Sequence, residues 1–364
     1  MQCDIEKVKE IQRASMRANR SIPTLDDVAR KAGVSTATVS RCLNTPDRVV
    51  QTTRTRVLKA VEQLGYTPNF GARAMAAKRT FTIGAIIPTM ENAIFARGLQ
   101  AFQEELHRRG YTLLVSSTAY CPVAEAEQIR TLVSRGADGL LLIGYDRDPA
   151  LHRYLEQRAV PALIAWAHHP DIPHPAIGFD NRAAMALLTD EVLAREHTRI
   201  GVISGVVKGN DRAADRLHGI RDAVAARGLD VGSLQVIETA YGFETGEAAM
   251  RTLMQATPRP TVVMCGNDVL AAGALRAAKA LGLAVPQDVS VTGFDDIELA
   301  RIVTPTLTTV HVPHREMGTK AATALIALVE GAPTEPPDKL QIFLQIRESL
   351  GPAKPDTRAL PKRT

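Results

Sequence analysis

Twelve residues near the start of the chain, GVSTATVSRCLN from Gly33 to Asn44, hold four hydroxyl side chains, a single arginine and little apolar surface. Hydroxyls reach phosphate oxygens or base edges, and a guanidinium grips a guanine edge through two parallel hydrogen bonds. Small side chains allow a helix to lie deep in the major groove. Ser35, Thr36, Ala37, Thr38, Ser40, Arg41 and Asn44 are therefore a set suited to reading duplex DNA.

Such a set needs a helix to carry it and another to brace it. Thr24-Leu25-Asp26-Asp27 is a capping-box pattern with acids in the positive first turn of a helix, and Val28, Ala29 and Ala32 give that helix an apolar side. Gly33 suits the left-handed residue of a tight turn, Val34 plugs the gap, Ser35 caps the second helix, and Val39, Cys42 and Leu43 face inward. The unit is a helix-turn-helix. A third helix is expected over Arg54–Leu64, with Val57, Val61 and Leu64 buried, Gly65 at its end, and Thr52 or Thr53 as a cap offering N–H groups to a phosphate. After Tyr66, Pro68 blocks continuation and Asn69 caps a short helix running to Lys78. Alone in water that helix is too short to persist, and Gly71 costs it about 1 kcal/mol relative to alanine. With Ala72, Met75 and Ala76 on one side and Arg73, Lys78 and Arg79 elsewhere, it reads as a linker that folds on DNA. The bland counterpart is a small structural bundle followed by a basic flexible linker.

Charge separates the two readings. Residues 1–81 hold fifteen Lys and Arg against seven Asp and Glu, a net of +8, whereas residues 82–364 carry a net of −3. A basic head on a slightly acidic body is the footprint of a chain that sets one end against a polyanion. The four cysteines are scattered, with no CxxC pair, which fits reduced cytoplasmic thiols and no zinc site. No apolar run is long enough to span a membrane, and the N-terminus lacks the apolar stretch of a secretory signal.

Beyond residue 81, eight short apolar runs (TIGAIIP, YTLLVSS, DGLLLIG, VPALIAW, RIGVISG, LQVIE, PTVVMCG and VSVTGFDD) alternate with helical stretches. Several helices stop at a glycine: Gly110, Gly136, Gly228 and Gly282. The pattern is that of βαβ units, and eight units divide into two doubly wound parallel-sheet lobes, with the division near Ala176–Asn181. Neither GxGxxG after the first strand, nor a phosphate loop, nor HExxH, nor GxSxG is present, so no motif supports an enzyme.

Taken together, TLDDVARKAGVSTATVSRCLN, RVLKAVEQLGYTPNFGARAMA, TIGAIIPTMENAIFARGLQAFQEELHRRGY, CGNDVLAAGAL and VPQDVSVTGFDD…TPTLTTVH resemble the lactose-repressor (LacI/GalR) family of bacterial transcription regulators, from about Pro23 to Ser349. The resemblance implies an all-α helix-turn-helix head and a hinge helix, followed by an α/β core of two doubly wound parallel-sheet lobes like a periplasmic binding protein. It divides the chain into a basic extension (1–22), a DNA-binding domain (23–67), a hinge helix and linker (68–80), an effector and dimerisation core (81–351) and a disordered tail (352–364). Within the core, one lobe spans about 81–179 and 309–337, the other about 180–308 and 338–351.

What the family implies is a cytoplasmic, non-enzymatic homodimer on a palindromic double-stranded DNA operator, with no cofactor, metal or membrane. Thr36 and Ala37 match the recognition pair, Arg41 the base-reading arginine, and Met75 the apolar wedge of the hinge, where most members have leucine. The effector, a sugar, sugar acid or related polyol, lies between the lobes. Phe95 matches a packing position, Asp180 is an effector candidate where the second lobe opens at the first crossover, and Arg216, Asn267 and Asp295 match polar ligand contacts. All four read otherwise too: Asp180 and Asn267 as helix caps, Asp295 as a turn residue, Arg216 as a solvated helix-face charge. Trp166, the only tryptophan, stacks on a ligand or packs a core, and Arg212 is either a hint of an acidic effector or a solvent-facing arginine. The alternative function is a cytoplasmic sugar sensor acting through a protein partner.

Overall fold

The computed structural model describes residues 23–67, 71, 74, 79–91, 93–169, 171–172, 174–333 and 338–354. It divides into two compact units, residues 1–80 and 81–364.

In the first unit, Thr24 starts α1 (Leu25–Ala32) through a reciprocal capping box: its Oγ1 accepts from Asp27 N–H at 3.3 Å, and its own N–H donates to the Asp27 carboxylate at 2.9 Å. These bonds hold the Asp27 carboxyl below its usual range. Gly33, at φ 62°, turns the chain into α2 (Thr36–Asn44), and Ser35 caps α2 by accepting from Thr38 N–H at 3.2 Å. A 3-10 turn at Pro46–Arg48 leads to α3 (Gln51–Leu64), closed by Gly65 at φ 62°. Val28, Ala29, Ala32, Val39, Cys42, Val57 and Ala60 form the core of this unit. One expectation needs correcting. Helix α3 begins three residues earlier than predicted, after the extended Val50, so Thr53 lies within the first turn and donates its N–H to Val50 O at 3.0 Å. Gln51 is a better helix former than the threonines after it, and the helix extends back to it.

The second unit is built on two parallel sheets. The first contains β1 (Thr82–Ile87), β2 (Thr112–Ser117), β3 (Gly139–Ile143), β4 (Ala162–Ala165) and β5 (Ala176–Gly178), connected by α4 (Ala93–Arg108), α5 (Pro122–Ser134) and α6 (Pro149–Gln157). The second sheet follows α7 (Asn181–Ala194) and comprises β6 (Ile200–Gly205), β7 (Gln235–Thr239), β8 (Val262–Cys265) and β9 (Ser290–Thr292), with α8 (Asp211–Ala226), α9 (Phe243–Gln255) and α10 (Asp268–Ala280) between them. After the one-turn α11 (Leu299–Ile302) the chain runs through β10 (Thr309–His311) into α12 (His314–Glu330), then β11 (Asp338–Lys339) and β12 (Phe343–Gln345). The sheet orders are β11-β5-β4-β3-β1-β2 and β7-β6-β8-β9, and β10 pairs antiparallel with β12. β1, β3 and β6 are buried along their whole length, as strands covered by helices on both faces must be.

All eight apolar runs are strands, and Gly110, Gly136, Gly228 and Gly282 all have φ between 70° and 84°. The sequence boundary at 338 is displaced: Asp338–Lys339 pairs with β5 and so belongs to the first sheet, not to the second lobe. The tail expected to be disordered from 352 is anchored at its start, where Ala353 N–H donates to Arg195 O at 2.8 Å and Lys354 Nζ reaches Asp288 at 2.8 Å.

Where the chain passes between lobes, Asp296 gathers the crossover strands. Its carboxylate accepts from His311 Nδ1 at 2.8 Å and from Arg347, with Arg301 at 3.5 Å. These partners outweigh the burial of Asp296 and hold its carboxyl below the usual value.

Candidate functional site

The first candidate surface is α2. Val39 and Cys42 point into the head's core, leaving Ala37 and Arg41 exposed and Thr36, Thr38 and Ser40 half-buried. Three of the hydroxyls are engaged locally: Ser35 Oγ lies 2.9 Å from Thr38 Oγ1, and Ser40 Oγ accepts from Asn44 Nδ2 at 3.2 Å. The side that turns outward therefore presents a methyl group and a guanidinium between ordered hydroxyls. Thr24 is committed to its cap, and Tyr66 packs against the head's core. Asn69, Ala72 and Met75 lie outside the described residues.

The second site is a pocket between the two lobes of the core, at the carboxyl ends of both sheets, where ligands collect in open α/β folds. Six of the seven candidate effector residues line it: Phe95, Trp166, Arg212, Arg216, Asn267 and Asp295. Asp180 does not. Its side chain caps α7 by accepting from Ala183 N–H at 2.9 Å and faces Lys339 at 3.8 Å. The next residue, Asn181, takes the place expected of it. Asn181 donates to Trp166 O at 3.0 Å and accepts from Arg216 Nη1 at 2.7 Å.

Arg216 is the hub. It comes from inside α8, which starts at Asp211 under an Asn210 cap. Its Nη2 donates to Tyr241 Oη at 3.0 Å, and its guanidinium carbon stands 4.8 Å from the centroid of the Phe294 ring. Burial works against its charge, but Tyr241 and Asp295 outweigh that cost and keep it above its usual value. It is not the solvated surface charge that the sequence also allowed. Asp295, buried and at φ 107°, is pushed up to about 7 by desolvation, with the neighbouring Arg216 opposing the rise.

Asn267 combines both roles read from the sequence. Its Oδ1 caps α10 by accepting from Leu270 N–H at 2.9 Å, while its buried Nδ2 has no partner among the described residues. Arg216 Nε is likewise buried without a partner there. Two donors beside a carboxyl are complementary to adjacent hydroxyls. Arg212 is buried, contrary to the solvent-facing alternative. Its Nη1 donates to Ile143 O at 3.1 Å and to Asp211 at 2.8 Å, so its charge is matched within the protein.

The apolar wall is made by Phe95 from α4 and by Trp166, whose rings meet edge to face at 5.4 Å. Trp166 Nε1–H donates to His314 Nδ1 at 3.3 Å, and burial pushes His314 down to about 4, so its ring is neutral and able to accept. Tyr120, Phe179, Asn210 and Tyr241 also line the pocket and were not singled out from the sequence. A signal for two of them exists. Thr118-Ala119-Tyr120 follows β2 and Thr239-Ala240-Tyr241 begins on the last residue of β7, the same tripeptide at the end of the second strand of each lobe.

A helix-turn-helix head joined in one chain to a two-lobed core with a buried interlobe pocket defines a ligand-responsive DNA-binding regulator. The family model for bacterial regulatory proteins of the lacI family matches residues 24–69, and that for a periplasmic binding protein-like domain matches residues 189–350. The chain is 35% identical over 309 residues to the HTH-type transcriptional repressor CytR of Escherichia coli, covering 85% of this chain and 90% of that protein. It is 33% identical over 311 residues to the repressor PurR of Vibrio cholerae, covering 84% and 91%. Among solved structures, the lac repressor dimer bound to operator and the anti-inducer ONPF superposes with a TM-score of 0.80 at 26% identity, covering 90% of this chain and 99% of that one. The chain belongs to the lacI family of bacterial regulatory proteins, and it is a DNA-binding transcriptional repressor with an effector-binding core.

Proposed function

We propose that two copies of this chain bind a palindromic operator in the cytoplasm, and that a small polyhydroxylated effector held between the core lobes changes the affinity for that operator. The recognition helices then enter major grooves about 10 bp apart. Thr36, Ala37 and Arg41 read base edges, Ser35, Thr38, Ser40, Asn44, Thr53 and Tyr66 face the backbone, and Asn69, Ala72 and Met75 belong to a hinge in the minor groove. The observation that carries the effector half is the pair of unpartnered buried donors, Arg216 Nε and Asn267 Nδ2, in the pocket that holds Asp295. Buried donors of this kind cost about 1–3 kcal/mol each when unmet, so the pocket gains from a ligand that meets them. Arg212 is already matched by Asp211, so that guanidinium does not call for an acid on the ligand.

Reciprocal coupling between ligand and operator is typically worth 1–3 kcal/mol, or roughly 5- to 150-fold in affinity. The test is operator binding by fluorescence anisotropy with the parent and with Arg41→Ala. The substitution should cost about 1–3 kcal/mol and relax preference at one base pair in each half-site. Equal affinity of the parent for selected and random duplexes would refute the proposal.

A further inference from the structure

Four successive helices of the core close on an arginine: Arg135 after α5, Arg158 after α6, Arg195 after α7 and Arg227 after α8. A cation there answers the negative end of the helix dipole, which favours all four alike. Beyond that the two lobes differ. In the second lobe Arg195 is paired with Glu191, and Arg227 stands 4.0 Å from Asp190. In the first lobe Arg135 and Arg158 are exposed, as is Arg130 one turn before the end of α5, and none of the three makes an ion pair among the described residues. Glu127 and Glu156, the acids nearest along these helices, pair with none of them.

Arg130 and Arg158 meet at Tyr154, a half-buried residue of α6, with guanidinium carbons 6.0 and 5.6 Å from the ring centroid. The ring holds both cations in one place, and their N–H edges have no acceptor among the described residues. Topology fixes where this group lies. Helices that connect parallel strands run back against them, so α5 and α6 end where the strands of the first sheet begin. Asp138, three residues past Arg135, accepts from Thr82 N–H at 3.3 Å and donates its own N–H to Thr82 O at 2.8 Å. Thr82 opens β1, the first strand after the unit that reads DNA. Seventeen residues, 65–81, separate α3 from β1, and even fully extended they reach no further than about 60 Å.

We propose that Arg130, Arg135 and Arg158 form a second DNA contact, gripping backbone phosphates of the duplex that flanks the operator. The proposal rests on the DNA-binding activity of the head. Guanidinium edges suit phosphate oxygens, and contacts to phosphate carry no sequence preference of their own. The tether makes this second contact intramolecular, at an effective concentration on the order of 1 mM. Against a non-specific Kd of about 0.1 mM, that concentration adds roughly tenfold to the affinity. An acidic protein surface would meet the same guanidiniums, but the tether to a DNA-reading head favours the duplex.

The full chain is titrated by fluorescence anisotropy against the operator it selects from random DNA, as a duplex of about 20 bp and with about 15 bp of arbitrary flank on each side. The flanks should raise the affinity about tenfold and steepen the log–log salt slope by at least about 1. In Arg130→Gln/Arg135→Gln/Arg158→Gln, three exposed changes, the flank gain should fall to about twofold or less while the short duplex binds as in the parent. Trp166 emission verifies that the variant core is folded. Equal parent affinity for both duplexes overturns the proposal, and so does a flank gain that survives the triple variant. A parent that ignores the flanks yet binds an oligoglutamate peptide, with loss in the variant, overturns it too and gives the patch to an acidic protein. Failure to bind the short duplex contradicts the DNA-binding reading itself, and this proposal falls with it.

Discussion

Replacing Arg216 with methionine keeps most of the side-chain volume and removes one buried charge. Four losses follow from the structure. Asn181 Oδ1 loses a donor at 2.7 Å, Tyr241 Oη loses one at 3.0 Å, the Phe294 ring loses its cation at 4.8 Å, and Asp295 loses the charge that favours its ionised form. Removing one partner of a buried ionic arrangement costs about 3–5 kcal/mol where the charge left behind stays ionised. Asp295, already raised to about 7, protonates at neutral pH, so a cost of that size is expected only well above pH 7. Asp295→Asn alone removes the buried acid and should cost less, about 1–2 kcal/mol through lost polar contacts. In the double variant no carboxylate is stranded, so at pH 9, where Asp295 with its value of about 7 is ionised in the parent, the combined cost should fall below the sum of the two by at least about 1.5 kcal/mol. The assay is urea unfolding followed by Trp166 emission, which reports the core unit alone because no other tryptophan exists. Costs that add to within about 0.5 kcal/mol would show that Arg216 and Asp295 do not act as a pair, and would refute the description of the pocket as internally neutralised.

Three further outcomes are expected. Native-state burial holds His314 and His152 at about 4, so the unfolded chain takes up their protons first on acidification, and stability due to them is lost as pH falls from about 6.5 towards 4. Asp295, raised to about 7, has the opposite slope, gaining stability as pH falls from about 7 to 3.8; Asp295→Asn should therefore steepen the acid loss, by up to about 1.4 kcal/mol per pH unit, in a series of unfolding midpoints. Gly98→Ala would place a Cβ 2.4 Å from Trp166 Cζ2, so it should destabilise the core by about 1–3 kcal/mol and shift the tryptophan emission, and an unchanged spectrum would contradict the packing. Thr24→Ala removes the capping box of α1 and should cost the head about 1 kcal/mol by circular dichroism melting, with no change in the Trp166-monitored transition of the core.

Local patterns were well written into the sequence. The capping box at Thr24, the left-handed Gly33 and the Ser35 cap each depend on residues within three or four positions, and all three form as read. Alternation of apolar runs and helices gave all eight principal strands: central strands covered on both faces must be continuously apolar, and the more exposed edge strands β2 and β7 keep an apolar run as well. Failures came where the answer depends on which way a side chain turns. Asp180 and Asn181 both stand at the end of β5, and either could cap α7; the cap took the aspartate, and the asparagine turned inward to Arg216. Arg212 was left open between a ligand-facing and a solvent-facing arginine, and the Asn210 cap settles it in the buried first turn of α8. β11 escaped notice because two residues carry no periodicity, and its place beside β5 is fixed by the long-range crossover. Tyr120 and Tyr241 were legible in principle, through a tripeptide repeated at the ends of equivalent strands, but a three-residue match has meaning only once the two lobes are superposed in mind.

The central claim is that one chain reads a DNA sequence and senses a small molecule, and selection from random duplex DNA tests it most directly. Duplexes retained by the purified full chain would be sequenced, then retitrated at several salt concentrations with and without a panel of sugars and sugar acids. The account predicts an enriched palindrome with two half-sites, an affinity that falls steeply as salt rises, and a change of roughly fivefold or more caused by one ligand class. Failure to enrich any sequence, with every ligand of the panel also tried, would contradict it and leave the exposed face of α2 without a partner.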